Sequence, residues 1–417
     1  MSKFRLAHLG LLAALLGLNA APVFLGASAA YAADSTSLRP EIGKPLQAAT
    51  DDIKKGKYKE ALAKIHDAEA VSGRSSYENY MIDYMRASAA QGAGDNELAA
   101  KSYEAVINSG HVTGAAQTKI VQVLADTYYR AGQYPKAIVW ISRYLSEGGD
   151  DPAMRSLLIS AYYSNNEFAR AAKEVSAQIQ ADEKAGRVPT EQQLQLLQSC
   201  ALKLGDKAGY LSAVEKLAAY HPKKEIWVEL LNKLENKPGY SDRLGLDVLR
   251  MRLAVNAVST AADFMNMAEL AMQAGYPAEA KKIIDTAYKS GAFGTGTDAP
   301  RQKRLQDLTL KRLADDVKAM PQAEADAGKA KDGTGLVAVG YDYVTNGQFD
   351  KGISLIEQGI AKGDLKHPDD AKLHLGLAYL QADKKAKALA AFKTVQGTDG
   401  TAELAHYWTI LTNHPVN

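Results

Sequence analysis

Along most of this chain the apolar positions recur at helical spacing, in pairs of stripes separated by a short polar turn. The pattern is clearest between Val121 and Ala177, where it is written twice. Leu124, Tyr128, Tyr134 and Ala137 return as Leu158, Tyr162, Phe168 and Ala171, each 34 residues on. Each copy predicts a helix, a tight turn and a second helix. A period of this size marks stacked repeats, in which no unit buries its apolar face alone and each covers its neighbour's.

A small residue five positions after a turn glycine tracks the same unit through the chain. Gly56 and Ala61 open the series, followed by Gly94 and Ala99, then Gly132 and Ala137. Asn166 takes the glycine place before Ala171, as a residue that tolerates a left-handed turn. The pattern then loosens: Gly205 leads to Tyr210 instead of alanine, and Trp227, Leu230, Leu231 and Leu234 predict the next helix. Leu244, Val248, Met251 and Val255 predict its partner. Phe264, Met267, Ala268, Gly275, Ala280 and Ile284 restore a regular unit.

Residues 291–300, GAFGTGTDAP, interrupt the array as a loop or hinge. An amphipathic helix follows, with Leu305, Leu308, Leu313 and Val317 opposite Arg304, Lys311 and Asp315, and a charged small-residue stretch leads to Asp332. Two regular units close the array. Leu336, Gly340, Tyr343, Gly347 and Phe349 mark the first, and Leu375, Gly376, Tyr379, Ala388 and Phe392 the second. The segment 402–411 predicts a capping helix for an open end. The expected division is a leader at 1–33, an N-terminal solenoid at 34–290, a loop and irregular helical linker at 291–335, and C-terminal repeats with the capping helix at 336–417.

These signatures resemble the tetratricopeptide repeat family. Leu124-Ala125, Tyr128 and Ala137, and again Leu375-Gly376, Tyr379, Ala388 and Phe392, sit where that family places a Leu, a small residue, a Tyr, an Ala and an aromatic. The physical basis is packing: small residues let two helices approach, and large ones fill the groove to the next hairpin. The resemblance implies an all-α, right-handed solenoid of about ten helical hairpins that binds protein partners on its concave face.

Composition changes the picture at three points. Lys3 and Arg5 precede an apolar run from Leu9 to Leu25, and Ala30-Tyr31-Ala32 offers small residues to a signal peptidase, so a cleaved secretory signal ending at Ala32 or Ala33 is expected. No cysteine follows the run to carry a lipid anchor. Removing Lys3 and Arg5 from 50 basic residues leaves 48 against 48 acidic ones. That balance argues against a nucleic-acid partner, and no later run suits a membrane span. Cys200 is the single cysteine; its neighbours Leu196, Leu197, Leu202 and Leu204 predict a buried, inert thiol.

For chemistry the chain offers little. Asp51-Asp52, Asp150-Asp151, Asp315-Asp316 and Asp369-Asp370 are acid pairs. Asp151 and the Asp369 pair adjoin Pro152 and Pro368 and read as N-cap residues, the other two as solvated helix faces. The histidines lack metal-ligand spacing and no phosphate loop occurs, so no catalytic residue, cofactor or metal is expected. Tyr128, Tyr162, Tyr343 and Tyr379 share one repeat position and read as packing. Tyr129 and Tyr163, one residue later, fall in the family's pattern on the concave face. With Asp126, Ser160 and Tyr341 they are the candidate partner-binding residues, able to stack on and hydrogen-bond an extended peptide or glycan. The expected function is a non-enzymatic periplasmic or secreted scaffold for protein–protein interactions, in envelope assembly or polysaccharide export. The competing readings are a helical scaffold for a peptidoglycan-acting enzyme and a solenoid that self-associates through its open ends.

Overall fold

The computed structural model describes residues 37–416; the expected leader at 1–33 lies outside them. Among the described residues every regular element is a helix, and the chain divides into two compact units at Leu157/Leu158. In the first unit three antiparallel hairpins follow one another: α1 (Pro40–Lys54) with α2 (Tyr58–Glu69), α3 (Ser76–Ala93) with α4 (Asn96–Asn108), and α5 (Gly114–Arg130) with α6 (Tyr134–Ser146). α2 packs on α3 and α4 on α5. In α1 the buried positions Ile42, Leu46, Ala49 and Ile53 follow the helical period.

Local chemistry sets the helix ends. The Ser75 hydroxyl accepts the Glu78 N–H at 3.1 Å, and the Glu78 carboxylate accepts the Ser75 N–H at 2.9 Å, closing a capping box at the start of α3. The same buried carboxylate accepts the Arg39 backbone N–H at 3.0 Å and its guanidinium at 2.9 Å. Those Arg39 hydrogen bonds hold the Glu78 carboxyl down at about 2. The turn residues behave as their chemistry requires, with φ of +71° at Gly132 and +61° at Asn166. The small residues that follow them, Ala61, Ala99, Ala137, Ala171 and Ala280, are fully buried.

The second unit holds α8 (Phe168–Lys184), α9 (Glu191–Leu204), α10 (Lys207–Tyr220), α11 (Lys224–Glu235), α12 (Gly245–Ala254), α13 (Ala261–Gln273) and α14 (Pro277–Lys289); α7 (Pro152–Ser164) carries the boundary between units. Next come α15 (Ala299–Lys329), α16 (Thr334–Thr345), α17 (Phe349–Lys362), α18 (Pro368–Gln381), α19 (Lys385–Phe392) and α20 (Thr401–Asn413). The segment expected as a loop and irregular linker is therefore mostly one helix of 31 residues, α15, which runs through Pro321. It packs against α14 and α16, so the amphipathic helix expected after the loop continues through Pro321 into the charged, small-residue stretch that had no assigned structure.

The C-terminal helix does more than cap. α20 covers α18 and α19, and it also lies against α10 and α12, so this unit closes back on its own earlier helices. Arg243 binds the Asp370 carboxylate through two hydrogen bonds of 2.9 and 2.8 Å and reaches Asp399 at 2.5 Å. Lys237 pairs with Glu403, and the Ser241 N–H donates to the Asp399 carbonyl at 3.0 Å. Asp370 thus lies inside the first turn of α18 and ties distant segments, where an N-cap role was expected. Asp151 does cap its helix, accepting the Ala153 N–H at 2.8 Å.

The repeat also carries a feature that reading for hydrophobicity missed. At each of the four shared tyrosines a cation eight residues on covers the ring: Lys136 over Tyr128 at 4.9 Å, Arg170 over Tyr162 at 5.6 Å, Lys351 over Tyr343 at 4.1 Å and Lys387 over Tyr379 at 5.5 Å. Two of the hydroxyls donate to a glutamate on the preceding helix, Tyr343 to Glu324 at 2.8 Å and Tyr379 to Glu357. The tyrosines are packing residues, as expected, and each is also a polar joint. Cys200 is buried, and burial pushes its thiol up. Leu202 and Leu204, however, point outward at 65% and 48% exposure.

α16 and α17 cross at their glycines. A Cβ on Gly340 would lie 2.8 Å from the Gly352 carbonyl oxygen and 2.8 Å from the Ile356 nitrogen, both backbone atoms that cannot step aside. Gly340→Ala is therefore expected to lower stability by about 1–3 kcal/mol, read from urea unfolding; an unchanged midpoint would contradict the close crossing.

Asp316 on α15, expected on a solvated face, instead faces Asp342 on α16. Burial and the Asp316 carboxylate raise the Asp342 carboxyl to about 7, and Asp316 is raised by burial as well. A folded-state value above the unfolded one of about 3.9 means that the folded chain holds the extra proton, so this pair's contribution is complete below about pH 4 and is lost as pH rises to about 7. Asp342→Asn is expected to raise stability at pH 8 relative to the parent and to leave the two proteins alike at pH 4. Parallel stability curves for the two proteins across that range would refute the pairing.

Candidate functional site

The candidate partner-binding residues meet different fates. Asp126 is engaged by Arg130 one turn later, at 2.7 Å. Tyr129 is half-buried, its ring edge-on to Tyr134 with centroids 5.5 Å apart. Tyr163 repeats that geometry with Phe168 at 5.3 Å, and its hydroxyl shares a 2.7 Å hydrogen bond with Ser199 on α9. Ser160 is half-buried. Both tyrosines are thus held, partly exposed, in a locally fixed position, edge-on to the aromatic at the start of the second helix.

Tyr341 departs from the expectation. It is completely enclosed, so its side chain is not a surface for a peptide. The reason lies in α16, where Leu336, Val337, Tyr341, Tyr343 and Val344 are buried on more than one side. A helix that is apolar all round is covered all round, and the segment TGLVAVGYDYVT carries one charge.

Around Tyr341 the second unit assembles a buried polar cluster. Arg250 on α12 grips Glu279 on α14 with two hydrogen bonds of 2.7 and 2.6 Å. It also donates to Asp247, one turn earlier, at 2.6 Å. His374 on α18 stands 3.0 Å from the same Asp247 oxygen. The Tyr341 ring stacks on His374 at 4.7 Å, meets Tyr276 edge-on at 5.1 Å, and carries the guanidinium 4.9 Å from its centroid. Burial alone would raise the Asp247 carboxyl, yet His374 and Arg250 beside it hold it well below the usual carboxylate range. Burial pushes the Tyr276 hydroxyl up to about 12.

The cluster forms one wall of a cavity of about 260 Å³ lined by Arg250, Glu279, Tyr341, Leu377, Gln381 and Trp408 among others. A second cavity of about 190 Å³ shares Arg250, Glu279 and Gln381 with it. Sequence reading passed over these residues because most of their contacts join different helices, from 29 positions apart for Arg250–Glu279 to 127 for His374–Asp247. The available signal was Asp247 and Arg250 one turn apart in the otherwise apolar stretch LDVLRM, a pair of charges on a face that had to be buried.

Arg250→Ala would leave the Asp247 and Glu279 carboxylates buried without their cation, and the expected cost is about 3–5 kcal/mol. Arg243→Ala, at a more exposed site, is expected to cost about 1 kcal/mol. Equal losses in chemical denaturation would show that the Arg250 cluster is no more than a surface pair.

The tetratricopeptide repeat family model matches this chain at residues 123–185 and 338–403. Comparison with curated proteins finds no match. Among solved structures the chain is similar to yeast Tom70, with 11% identity over 89% of this chain and 95% of that one and a TM-score of 0.23. It is also similar to the Naa15/Naa10 complex bound to HypK, with 12% identity over 88% and 61% of the chains and a TM-score of 0.33. The third likeness is to the P58(IPK) TPR domain, with 13% identity over 90% and 99% and a TM-score of 0.23. All three scores lie below 0.5, so these likenesses say nothing about the course of this chain. The hairpins, their buried alanines and the shared tyrosines give the family match its physical content: residues 123–185 and 338–403 carry tetratricopeptide repeats, within what is, among the described residues, an all-α repeat solenoid.

Proposed function

We propose that this protein is an exported, non-enzymatic scaffold that holds an extended segment of a partner protein against the first helices of its repeats, in the service of envelope assembly or polysaccharide export. The observation that carries this reading is the repeated presentation of Tyr129 and Tyr163. Each ring is half-buried, held edge-on by the aromatic five residues later, and offered at the same place in its own hairpin. Rigid aromatic faces give contact area at little cost in side-chain entropy, and modest contacts repeated along a chain add up to a useful affinity. Export rests on the basic start, apolar run and Ala30-Tyr31-Ala32 of the leader. No helix among the described residues is long and apolar enough to cross a membrane.

A photo-crosslinking residue placed singly at 129, at 163 and at the outward-facing position of Val139, which is 64% exposed, tests the reading in the native envelope. The expected result is one shared protein adduct from 129 and 163 and none from 139, on a mature chain whose N-terminus is Ala33 or Asp34. Identical adducts at all three positions, or none, would overturn the scaffold reading; an uncleaved chain retained in the cytoplasm would overturn export.

A further inference from the structure

The long helix α15 lies outside both family-matched stretches, so repeat packing does not dictate its outer face. It buries Gln302, Leu305, Thr309, Met320 and Ala327, and between Thr309 and Met320 no residue is buried. The open side nonetheless carries large aliphatic side chains. Leu308, Leu310 and Val317 are 49%, 44% and 49% exposed. Single exposed leucines are ordinary, but these share their helix with a second asymmetry, one of charge.

The whole chain holds 50 basic residues against 48 acidic ones, whereas Arg301–Lys318 holds six against three. Arg301 pairs with Glu269 at 3.0 Å and Lys303 with Asp307, and Asp316 is turned toward Asp342. Arg304, Lys311, Arg312 and Lys318 are exposed and have no ion-pair partner among the described residues. Arg304, Lys311 and Lys318 recur every seven residues. They therefore form one line along the helix, about 10 Å apart, on the side away from the buried positions. Leu308 lies on one flank of that line, Leu310 and Val317 on the other. The other lysine-rich run, Lys54–Lys59, has Asp51, Asp52 and Glu60 beside it and no exposed large aliphatic residue.

The shape of the line selects what it can meet. A small anion reaches one cation at a time, because the next stands about 10 Å away. An acidic helix or strand docks into a groove or along a sheet edge, and this line is the crest of a helix. A flat layer of phosphates touches all three cations at once. Lysine and arginine stems are long enough to reach past the flanking leucines, which then lie at the level of the headgroups.

We propose that α15 seats this protein on an anionic lipid surface, with Arg304, Lys311 and Lys318 against headgroup phosphates and Leu308 and Leu310 at the edges of the contact. The contact is peripheral. Each cation adds a modest electrostatic attraction that salt screens, and partly exposed leucines give shallow insertion at most. It rests on neither Tyr129 nor Tyr163, so it stands or falls apart from the partner-binding reading.

Co-sedimentation of the mature chain with vesicles tests this, using phosphatidylcholine alone or with about one quarter phosphatidylglycerol. The expected result is binding to the anionic vesicles at about 50 mM salt, release at about 500 mM, and no binding to phosphatidylcholine alone. Arg304→Gln, Lys311→Gln and Lys318→Gln are each expected to weaken partitioning about fivefold, and the triple variant roughly a hundredfold. Its melting temperature should match the parent's, since none of the three has a partner to lose. The charge-matched triple Lys55→Gln, Lys57→Gln and Lys59→Gln is expected to bind as the parent does. Absence of binding to the anionic vesicles at low salt, equal binding to phosphatidylcholine alone, or equal loss in the two triples would overturn the proposal. A photo-crosslinker at 311 should give a lipid adduct; a protein adduct in its place would overturn the lipid assignment and give the crest to an acidic partner.

Discussion

The Arg250 guanidinium is the constraint on which the second unit depends. It sits on α12 and is held by carboxylates from α12 and α14, with the Tyr341 ring of α16 beside it. Through Asp247 the same cluster reaches His374 on α18. A chain of hairpins touching only its neighbours would have no reason to bring those four helices to one point. Burying a guanidinium is expensive unless every donor has a partner, so the ion cluster forms only where the path of the chain returns on itself. The outer contacts of Arg243 and Lys237 with the α18–α20 region then fasten the same closure nearer the surface.

Closure changes what the repeats can do. In an open array the first-helix faces stay available along their whole length. In this unit α16 is wrapped by α14, α15, α17 and α18, and Tyr341, in an expected contact position, becomes core. The same wrapping leaves a hollow beside Arg250 in whose wall the charges are internally paired. One repeat pattern thus yields two kinds of packing: half-buried tyrosines where hairpins stack simply, and a buried ion cluster where they close.

The polar joints at the shared tyrosines show how the stack keeps its register. A ring covered by a cation from its own hairpin and, in two copies, hydrogen-bonded to a glutamate of the preceding helix has both a defined depth and a defined direction. Apolar contacts alone are non-directional, so these joints add orientation that alanine–aromatic packing lacks.

The sequence by itself determined most of the helices, the hairpin turns and the repeat signature of the stretches 123–185 and 338–403, because these follow from near-neighbour physics: the period of apolar residues, a left-handed turn residue, a small residue at the close approach. Ala137 and Ala171 were legible on those grounds, as was the left-handed role of Asn166. Tertiary structure decided what depends on distant segments meeting. It carried the helix begun at Ala299 through Pro321 to Lys329, set Asp316 against Asp342 and buried Tyr341. It also gathered Arg250, Glu279, Tyr341 and Trp408 around one cavity and set His374 against Asp247. No local pattern records such meetings, since each residue is ordinary in its own helix and acquires its role only when the chain returns to it.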